Sequence, residues 1–317
     1  MLIIDADQIK KHLGWPGTIN SLERFFAEAC TVPRRQHYTI SLDNQPDATM
    51  LLMPAWVAGK YSGVKLVSVY PGNPDKGLPT ILGTYLLMDG ATGEVVAQLD
   101  GAELTARRTV CASALASKYL SRTDASSLLI VGSGRLARYL GFAHGAVRSL
   151  KKLSIWARNR QKALEVADLY SRAGFDCAVT DDLESGCAGA DIISSATMSG
   201  DPLISGKWLS PGTHIDLIGG FKAGMRESDD QAVARSTLFV DTRVGALSEA
   251  GDLLIPMASG VIGRDDIAAE LSELVSAHHP GRTGDQEITL FKSVGTAVED
   301  LAAAVKCYES VVSSGNG

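Results

Sequence analysis

Hydrophobic and polar positions follow two different patterns along the chain. From residue 38 to residue 99, short apolar runs alternate with turn signals such as Asp89-Gly90, which is typical of an antiparallel meander. From Ser126 onward, apolar strands alternate with helical segments, for example residues 160–173 and 229–236. This alternation predicts a parallel sheet with helices on both faces. The fold class is therefore α/β, with a doubly wound parallel sheet and a separate α+β domain that contains an antiparallel sheet.

Apolar residues at helical spacing predict further helices outside the parallel-sheet region. A short strand comes first, and the helices are expected at residues 5–13, 19–29, 102–120 and about 294–312. We expect the last helix to return to the N-terminal sheet and pack on it, which makes the first domain discontinuous. The predicted domains are 1–120 plus 293–317 and, between them, 121–292. The final residues, SSGNG, are predicted to be disordered.

A glycine turn follows the first strand of the parallel-sheet region. The apolar run 128–131 ends in Gly132-Ser133-Gly134, and Arg135-Leu136-Ala137 opens a predicted helix. In a dinucleotide-binding turn, the first glycine allows a tight bend, the second lets the backbone approach a pyrophosphate, and the small third residue packs helix on strand. The helix N-terminus adds N–H donors for phosphate. The strand and helix around the motif favour a Rossmann-type dinucleotide site over an ordinary strand–helix turn.

The end of the second predicted strand bears on which dinucleotide is bound. NAD-binding folds place an Asp or Glu there, which accepts hydrogen bonds from the ribose 2′-hydroxyl. Here the sequence reads Arg158-Asn159-Arg160 instead. Arg forms forked, charge-assisted hydrogen bonds to phosphate oxygens, so the 2′-phosphate of NADPH is favoured over NADH. The alternative is that these are surface residues that open a helix.

Composition excludes several classes of partner. A formal charge of −6, with no stripe of Lys and Arg among aromatics, gives no indication of nucleic-acid or membrane binding. The five cysteines are scattered without C-x-x-C spacing, so neither disulfides nor a zinc site is predicted, and they suit a reducing cytoplasm. His278 and His279 lack spaced partners, so no metal site is predicted. Without a signal segment or a run of 18 apolar residues, we expect a soluble cytoplasmic protein.

Several segments that are collinear from about Pro33 to Tyr308 carry a family resemblance. They include VKLVSVYPGNPDKGLPT, LDGAELTARRTVCASALASKYL, VGSGRLA, ADIISSAT and LFKSVGTAVEDLAAA. These segments resemble the ornithine cyclodeaminase/mu-crystallin family. Within the family, PGTHIDLIGGFKAGMRESDD and HPGRTGDQEITLFKSVGTA are most similar to bacterial reductases of cyclic imino acids, which act in proline and hydroxyproline metabolism. The resemblance implies NADPH-dependent reduction of a cyclic ketimine carboxylate. The five-membered ring would give proline, and a six-membered ring would give pipecolate.

The resemblance also implies the residues that hold the substrate carboxylate, namely Arg35, Lys65 and Arg108. Arg supplies a bidentate fork, and Lys supplies a compact charge and a transferable proton. The adjacent residues Arg34 and Arg107 are the alternative candidates for carboxylate binding in place of Arg35 and Arg108. Lys65 is the candidate catalytic residue, either keeping the imine nitrogen protonated or serving only the carboxylate. Cofactor contacts implied by the resemblance are Arg108, Thr109, Thr197, Ile218 and Ser293.

Phe221 stands where cyclodeaminases and related alanine dehydrogenases place an aspartate. A phenyl ring cannot accept a proton or pair with an ammonium, so the resemblance favours imine reduction, with the substrate ring against the aromatic. The alternative is that Phe221 only packs in the core. Three alternatives stay open: a cyclodeaminase, an alanine dehydrogenase, and a mu-crystallin-like protein that binds NADPH and a ligand. Family members dimerise through the N-terminal sheet, so a homodimer is expected, with the Met- and Leu-rich meander as its apolar face.

Overall fold

The computed structural model describes residues 1–315, which form two compact units. Unit 1 combines Met1–Arg108 with the chain from Thr296 onward, and unit 2 is Thr109–Gly295. The predicted division at residues 120 and 293 placed a whole helix in the first domain. The units instead divide within that helix, because its residues before Thr109 contact mainly unit 1.

The first part of unit 1 contains six strands and the start of the helix that leads into unit 2. Asp5 caps the first helix by accepting the N–H groups of Asp7 and Gln8. The elements are β1 (Leu2–Ile4), α1 (Ala6–His12), α2 (Trp15–Ala27), β2 (Gln36–Ile40), β3 (Ala48–Val57), β4 (Tyr61–Val69), β5 (Ile81–Asp89), β6 (Val95–Asp100) and α3 (Gly101–Leu120).

The sheet of unit 1 has the strand order β1-β6-β5-β4-β3-β2. Strands β2 to β6 pair antiparallel with their sequence neighbours, so the predicted meander is confirmed. Strand β1 pairs parallel to β6, which makes the sheet mixed and not purely antiparallel. Two helices separate β1 from the meander, and a parallel pairing needs such a long connection.

Unit 2 contains eight parallel strands in the order β13-β12-β14-β11-β10-β7-β8-β9. The doubly wound fold is confirmed: successive strands run outward from β7 to β9, and the chain then returns to place β10 on the other side of β7. The elements are β7 (Ser127–Val131), α4 (Ala137–Gly145), β8 (Lys152–Trp156), α5 (Arg160–Arg172), β9 (Cys177–Val179), α6 (Leu183–Ala188), β10 (Ile192–Ser195), β11 (His214–Leu217), α7 (Asp230–Ala234), β12 (Thr237–Val240), α8 (Arg243–Glu249), α9 (Gly251–Ala258), β13 (Ile267–Glu270), α10 (Leu271–Val275) and β14 (Thr289–Lys292).

The central strands of unit 2 are buried on both faces. In β7 the four residues from Leu128 to Val131 are at most 1% exposed, which explains their continuous apolar run. Strand β13 was not predicted, since the sequence after Asp252 indicated only short helices. Its residues, IAAE, are two alanines and a glutamate after one isoleucine, a composition that favours helix. Pairing with β12 overrides that preference.

The last helix, α11 (Ala297–Gly315), belongs to unit 1. It packs on β3, β4, β5 and α2, so the expected return to the N-terminal sheet is confirmed. Its C-terminal turn contradicts the predicted disorder of SSGNG as far as residue 315. The hydroxyls of Ser313 and Ser314 bond to the carbonyls of Glu309 and Ser310, which extends the helix. Residues 316 and 317 lie outside the described residues. None of the described helices has the length and apolarity to span a bilayer.

Candidate functional site

The glycine turn lies at the point where the strand order of unit 2 reverses. Gly132 follows β7 and has φ 127°, a conformation that L side chains rarely adopt. A Cβ at Gly132 would lie 2.9 Å from the carbonyl oxygen of Ala196, the residue after β10. The turn is therefore held against the end of β10, and in doubly wound folds ligands bind outside the carboxyl ends of the strands at this switch point.

The turn leaves room and hydrogen-bond donors for an anionic group. A Cβ at Gly134 would meet no heavy atom within 4 Å, and Gly134 and Arg135 are exposed. Leu136 precedes helix α4 and makes no side-chain cap, so no capping side chain takes the N–H groups of the first helical turn. Ser133 and Leu136 are half-buried, whereas Ala137 is fully buried. These features fit the pyrophosphate of a dinucleotide.

The three residues after β8 have different environments. Asn159 caps helix α5, with its side-chain oxygen accepting the N–H of Lys162 at 3.0 Å. Arg160 pairs through Nε with Asp181 at 2.9 Å on the surface. Arg158 is exposed and, among the described residues, forms no ion pair. Of the three, Arg158 has the guanidinium with all its donors available to a phosphate.

Three other predicted cofactor contacts lie at the carboxyl ends of β10, β11 and β14. The hydroxyl of Thr197 donates to Glu227 at 2.8 Å, and that of Ser293 donates to Asp241 at 2.9 Å. Ile218, directly after β11, is 6% exposed. Sequence reasoning missed both carboxylates. Thr109, also predicted to contact the cofactor, is half-buried on α3.

Lys65 is a buried charge in an apolar row across the sheet of unit 1. Strand register places it between Met53 of β3 and Tyr85 of β5, and Tyr85 is opposite Leu99 of β6. Its side chain is 3% exposed, and its Nζ lies 2.8 Å from a carboxylate oxygen of Asp300 on α11. An unpaired ammonium would be costly at this depth, so Asp300 is required as its counter-ion.

Arg108 shares the same carboxylate. Its Nε donates to Asp300 at 2.9 Å, and an Nη donates to Glu299. The structure thus brings Lys65 and Arg108 together around one acidic pair. Sequence reasoning missed that pair, although two adjacent carboxylates in the apolar segment VEDLAAAV are an available signal.

The neighbouring arginine has a different role. Arg107 bonds to the carboxylate of Glu103 at 2.9 Å and to the carbonyl of Leu13 at 2.7 Å, and its guanidinium lies over the ring of Trp15. These contacts hold α3 to the start of α2. They support Arg108 over Arg107 as a substrate ligand, a role that stays a prediction.

Burial and charge set the titration of the cluster. Burial, with help from the nearby Arg108, lowers the pKa of Lys65 to about 8, and Asp300 partly opposes this. Burial alone would raise the pKa of Asp300, but Arg108 and Lys65 bring it below its usual value. The pKa of Arg108 is raised: burial would lower it, and Asp300 and Glu299 more than compensate. Lys65 is therefore placed to exchange a proton near neutral pH.

Arg35 and Phe221 are the other two residues predicted to contact the substrate. Arg35 is half-buried and directly precedes β2, whose Gln36 pairs with Leu52, so Arg35 is level with Met53 and Lys65. Two strand spacings of about 4.8 Å separate its backbone from that of Lys65. The rival Arg34 is exposed. Phe221 belongs to unit 2, in the loop after β11, and its half-buried ring lies 5.9 Å from the Nζ of Lys222.

Comparison with known proteins finds relatives over nearly the whole chain. The model of the ornithine cyclodeaminase/mu-crystallin family matches residues 5–315. A Delta(1)-pyrroline-2-carboxylate reductase of Paracoccus denitrificans is 39% identical over 92% of this chain and 91% of its own. The solved Delta(1)-pyrroline-2-carboxylate reductase of Thermococcus litoralis, in complex with NADH and L-proline, is 36% identical over 99% of this chain and 98% of its own, with a TM-score of 0.92.

A second solved structure, an archaeal alanine dehydrogenase dimer with bound NAD, is 28% identical over 99% of this chain and 97% of its own, with a TM-score of 0.91. The family match covers nearly the whole sequence and includes both the glycine turn and the Lys65–Arg108 cluster. The resemblance seen in the sequence is confirmed: the chain belongs to the ornithine cyclodeaminase/mu-crystallin family.

Proposed function

We propose that the chain reduces a cyclic ketimine carboxylate, with Delta(1)-pyrroline-2-carboxylate as substrate and proline as product. The observation that carries this proposal is the buried pair Lys65 and Arg108, which suits a carboxylate, on a chain that also has a dinucleotide-type turn at Gly132. The similarity to two Delta(1)-pyrroline-2-carboxylate reductases supports it. The six-membered ring, which would give pipecolate, is a second substrate in this proposal.

The proposed cofactor is NADPH, which supplies a hydride when bound. The exposed guanidinium of Arg158 at the end of β8 supports this choice, because it can fork onto a 2′-phosphate. The similar Thermococcus litoralis structure contains NADH, so activity with NADH is also expected. Backbone N–H groups of the turn between Ser133 and Ala137 would hold the pyrophosphate, since the N–H of Gly132 already donates to the carbonyl of Trp156 at 2.8 Å.

Arg108 and Lys65 would bind the substrate carboxylate. Asp300 and Glu299 take the Nε and one Nη of Arg108, which leaves its other Nη as a donor. Lys65 has three N–H donors, and Asp300 and Thr105 accept two of them. Each cation therefore keeps a donor for the substrate. Arg35, level with Lys65 in the sheet, is the third proposed ligand.

Lys65 is also the proposed proton source. The iminium is a better hydride acceptor than the neutral imine, and an ammonium with a pKa of about 8 can protonate the nitrogen near neutral pH. If Lys65 served only the carboxylate, Lys65→Ala would raise KM and leave kcat unchanged. Phe221, whose ring can neither donate nor accept a proton, would pack against the substrate ring.

We also propose a homodimer formed through the outer face of the unit 1 sheet. The face opposite Lys65 carries half-buried apolar side chains that are level with one another, such as Leu52 opposite Leu66 and Val64 opposite Leu86. The similar archaeal alanine dehydrogenase is described as a dimer. A cytoplasmic location stays a prediction, which the five free cysteines suit.

The test is loss of NADPH absorbance with each of the two ring substrates, repeated with NADH. We expect turnover of both rings and a lower KM for NADPH than for NADH. Arg158→Ala should remove the difference between the cofactors by raising the KM for NADPH alone. No turnover on either ring with either cofactor would overturn the proposed function, and product analysis with ornithine or with pyruvate and ammonia would then identify a cyclodeaminase or an alanine dehydrogenase.

A further inference from the structure

Glu227 is a fully buried carboxylate at the carboxyl ends of β10 and β11. One oxygen accepts the hydroxyl of Ser195 at 2.6 Å, the N–H of Thr197 at 2.7 Å and its hydroxyl at 2.8 Å. The other accepts the N–H groups of Gly219 at 2.8 Å and Gly220 at 3.3 Å. A single side chain thus joins the residues that follow two adjacent strands.

The fit around Glu227 is tight. A Cβ at Gly219 would lie 2.0 Å from the carbonyl oxygen of Thr197 and 2.6 Å from a carboxylate oxygen of Glu227. The two strand ends are therefore in direct backbone contact, and glycine is needed for Glu227 to reach both. The contact fixes the direction in which the loop beyond Gly220 leaves the sheet, and that loop begins with Phe221.

A second buried carboxylate supports the first. Asp252, on α9, accepts the backbone N–H of Glu227 at 2.7 Å and that of Ser228 at 3.2 Å. Its other oxygen pairs with the Nζ of Lys292, the last residue of β14, at 2.9 Å. The pKa of Glu227 is raised above its usual value, chiefly by burial; the charge of Lys292 opposes this rise, and the charge of Asp252 adds to it.

The position of these contacts in the sheet indicates what they serve. In a doubly wound fold the dinucleotide lies across the switch point, one mononucleotide half over each half of the sheet. The turn at Gly132 and Arg158 belong to β7 and β8, on the adenosine side. Glu227 acts on β10 and β11, on the other side of the switch point, where the nicotinamide half would lie.

We propose that Glu227 is a positioning residue that holds the strand ends under the nicotinamide half of the cofactor, supported by Asp252 and Lys292. The inference rests on the proposed function, since it assumes a nicotinamide dinucleotide. It predicts a selective defect: loss of Glu227 weakens the binding of the whole dinucleotide and leaves the adenosine half bound as before.

The experiment compares two ligands on the wild type and three variants by calorimetric titration. NADPH carries both halves, and adenosine 2′,5′-bisphosphate carries only the adenosine half. In Glu227→Gln an amide donor replaces one of the two acceptor oxygens and faces N–H or hydroxyl donors. We expect its Kd for NADPH to rise about tenfold, and its Kd for the bisphosphate to stay within about twofold of wild type.

Asp191→Asn is the matched control. Asp191 accepts the N–H groups of Ser126 and Ser127 at 2.9 and 3.0 Å and pairs with Arg122 at 2.6 Å, so it is a similar carboxylate clamp. It acts at the amino end of β7, away from the carboxyl ends where the ligand binds. Its loss should lower thermal stability and leave both Kd values unchanged.

Ser195→Ala removes one of the five donors to Glu227 and decides the question if Glu227→Gln does not fold. It should show the same selective loss, to a smaller extent. Equal weakening of both ligands, or of neither, would overturn the inference while leaving the proposed function intact. A wild-type protein that binds neither NADPH nor NADH would overturn the proposed function and this inference with it.

Discussion

Arg107 and Arg108 are adjacent in the sequence, yet their side chains have different partners. Arg107 bonds to Glu103 and a backbone carbonyl, whereas Arg108 bonds to Asp300 and Glu299 and keeps a free Nη in the structure. Arg108→Lys keeps the charge and loses the fork. A hydrogen bond between charged groups contributes about 1.5 to 3 kcal/mol, so KM for the imino acid should rise at least about tenfold.

Arg107→Lys is the control for that variant. It should lower the midpoint of urea unfolding and leave KM within about twofold of wild type, because the guanidinium of Arg107 holds α3 to α2 through Glu103, Leu13 and Trp15. Steady-state kinetics and urea titrations on both variants separate the two effects. If KM rose for Arg107→Lys and not for Arg108→Lys, the substrate carboxylate would bind to Arg107 and the assignment to Arg108 would be wrong.

The pKa of Lys65 predicts a pH dependence of activity. Lysine is charged below its pKa, so the ammonium that binds carboxylate is lost as the pH rises through about 8. The plot of kcat/KM against pH should therefore fall above about pH 8. Lys65→Arg keeps its charge throughout this range, so the fall should disappear, even if the variant is less active. If kcat/KM of Lys65→Arg still fell with the same midpoint pH, the group that titrates would not be Lys65.

At the scale of the element, the strand–turn–helix from β7 to α4 contains two glycines with separable roles. Gly132 has a positive φ and lies against Ala196, so Gly132→Ala should destabilise the fold by about 1 to 3 kcal/mol. Gly134 lies in open space outside the left-handed region. Gly134→Ala should fold normally and bind the cofactor more weakly, because the methyl group occupies space that phosphate would use.

Urea unfolding and cofactor titration measure both glycine variants. The prediction requires that stability falls only for Gly132→Ala, while the cofactor Kd rises for Gly134→Ala. If Gly134→Ala bound the cofactor with wild-type affinity, the turn would not be the phosphate-binding site.

How far sequence predicts these elements depends on the range of their interactions. The turn at Gly132 was predicted because its motif lies within one strand, one bend and one helix. The partners of Lys65 and Arg108 were missed because Asp300 is 235 and 192 residues away along the chain. Strand β13 was missed because its existence depends on pairing with β12, and its own residues favour helix.

For the whole molecule, the proposed dimer depends on the apolar outer face of the unit 1 sheet. Leu66 lies on β4 with its side chain opposite to that of Lys65, level with Leu52 of β3. Leu66→Lys would bury an ammonium in the proposed interface and should give a monomer by sedimentation velocity. Leu164→Lys, on helix α5 at a position already 38% exposed, is the control and should remain a dimer. A wild-type monomer, or a dimeric Leu66→Lys, would contradict the proposed interface.

Helix α11 is synthesised after the whole of unit 2. Unit 2 is complete once residue 295 has been synthesised, whereas the sheet that carries Lys65 waits through that whole interval for its covering helix. Because domains fold as units during synthesis, unit 2 can form while unit 1 still lacks Glu299 and Asp300. Two cations that are buried in the folded protein therefore remain in water until α11 has been synthesised, and residues 297–315 then close the core and neutralise it in one step.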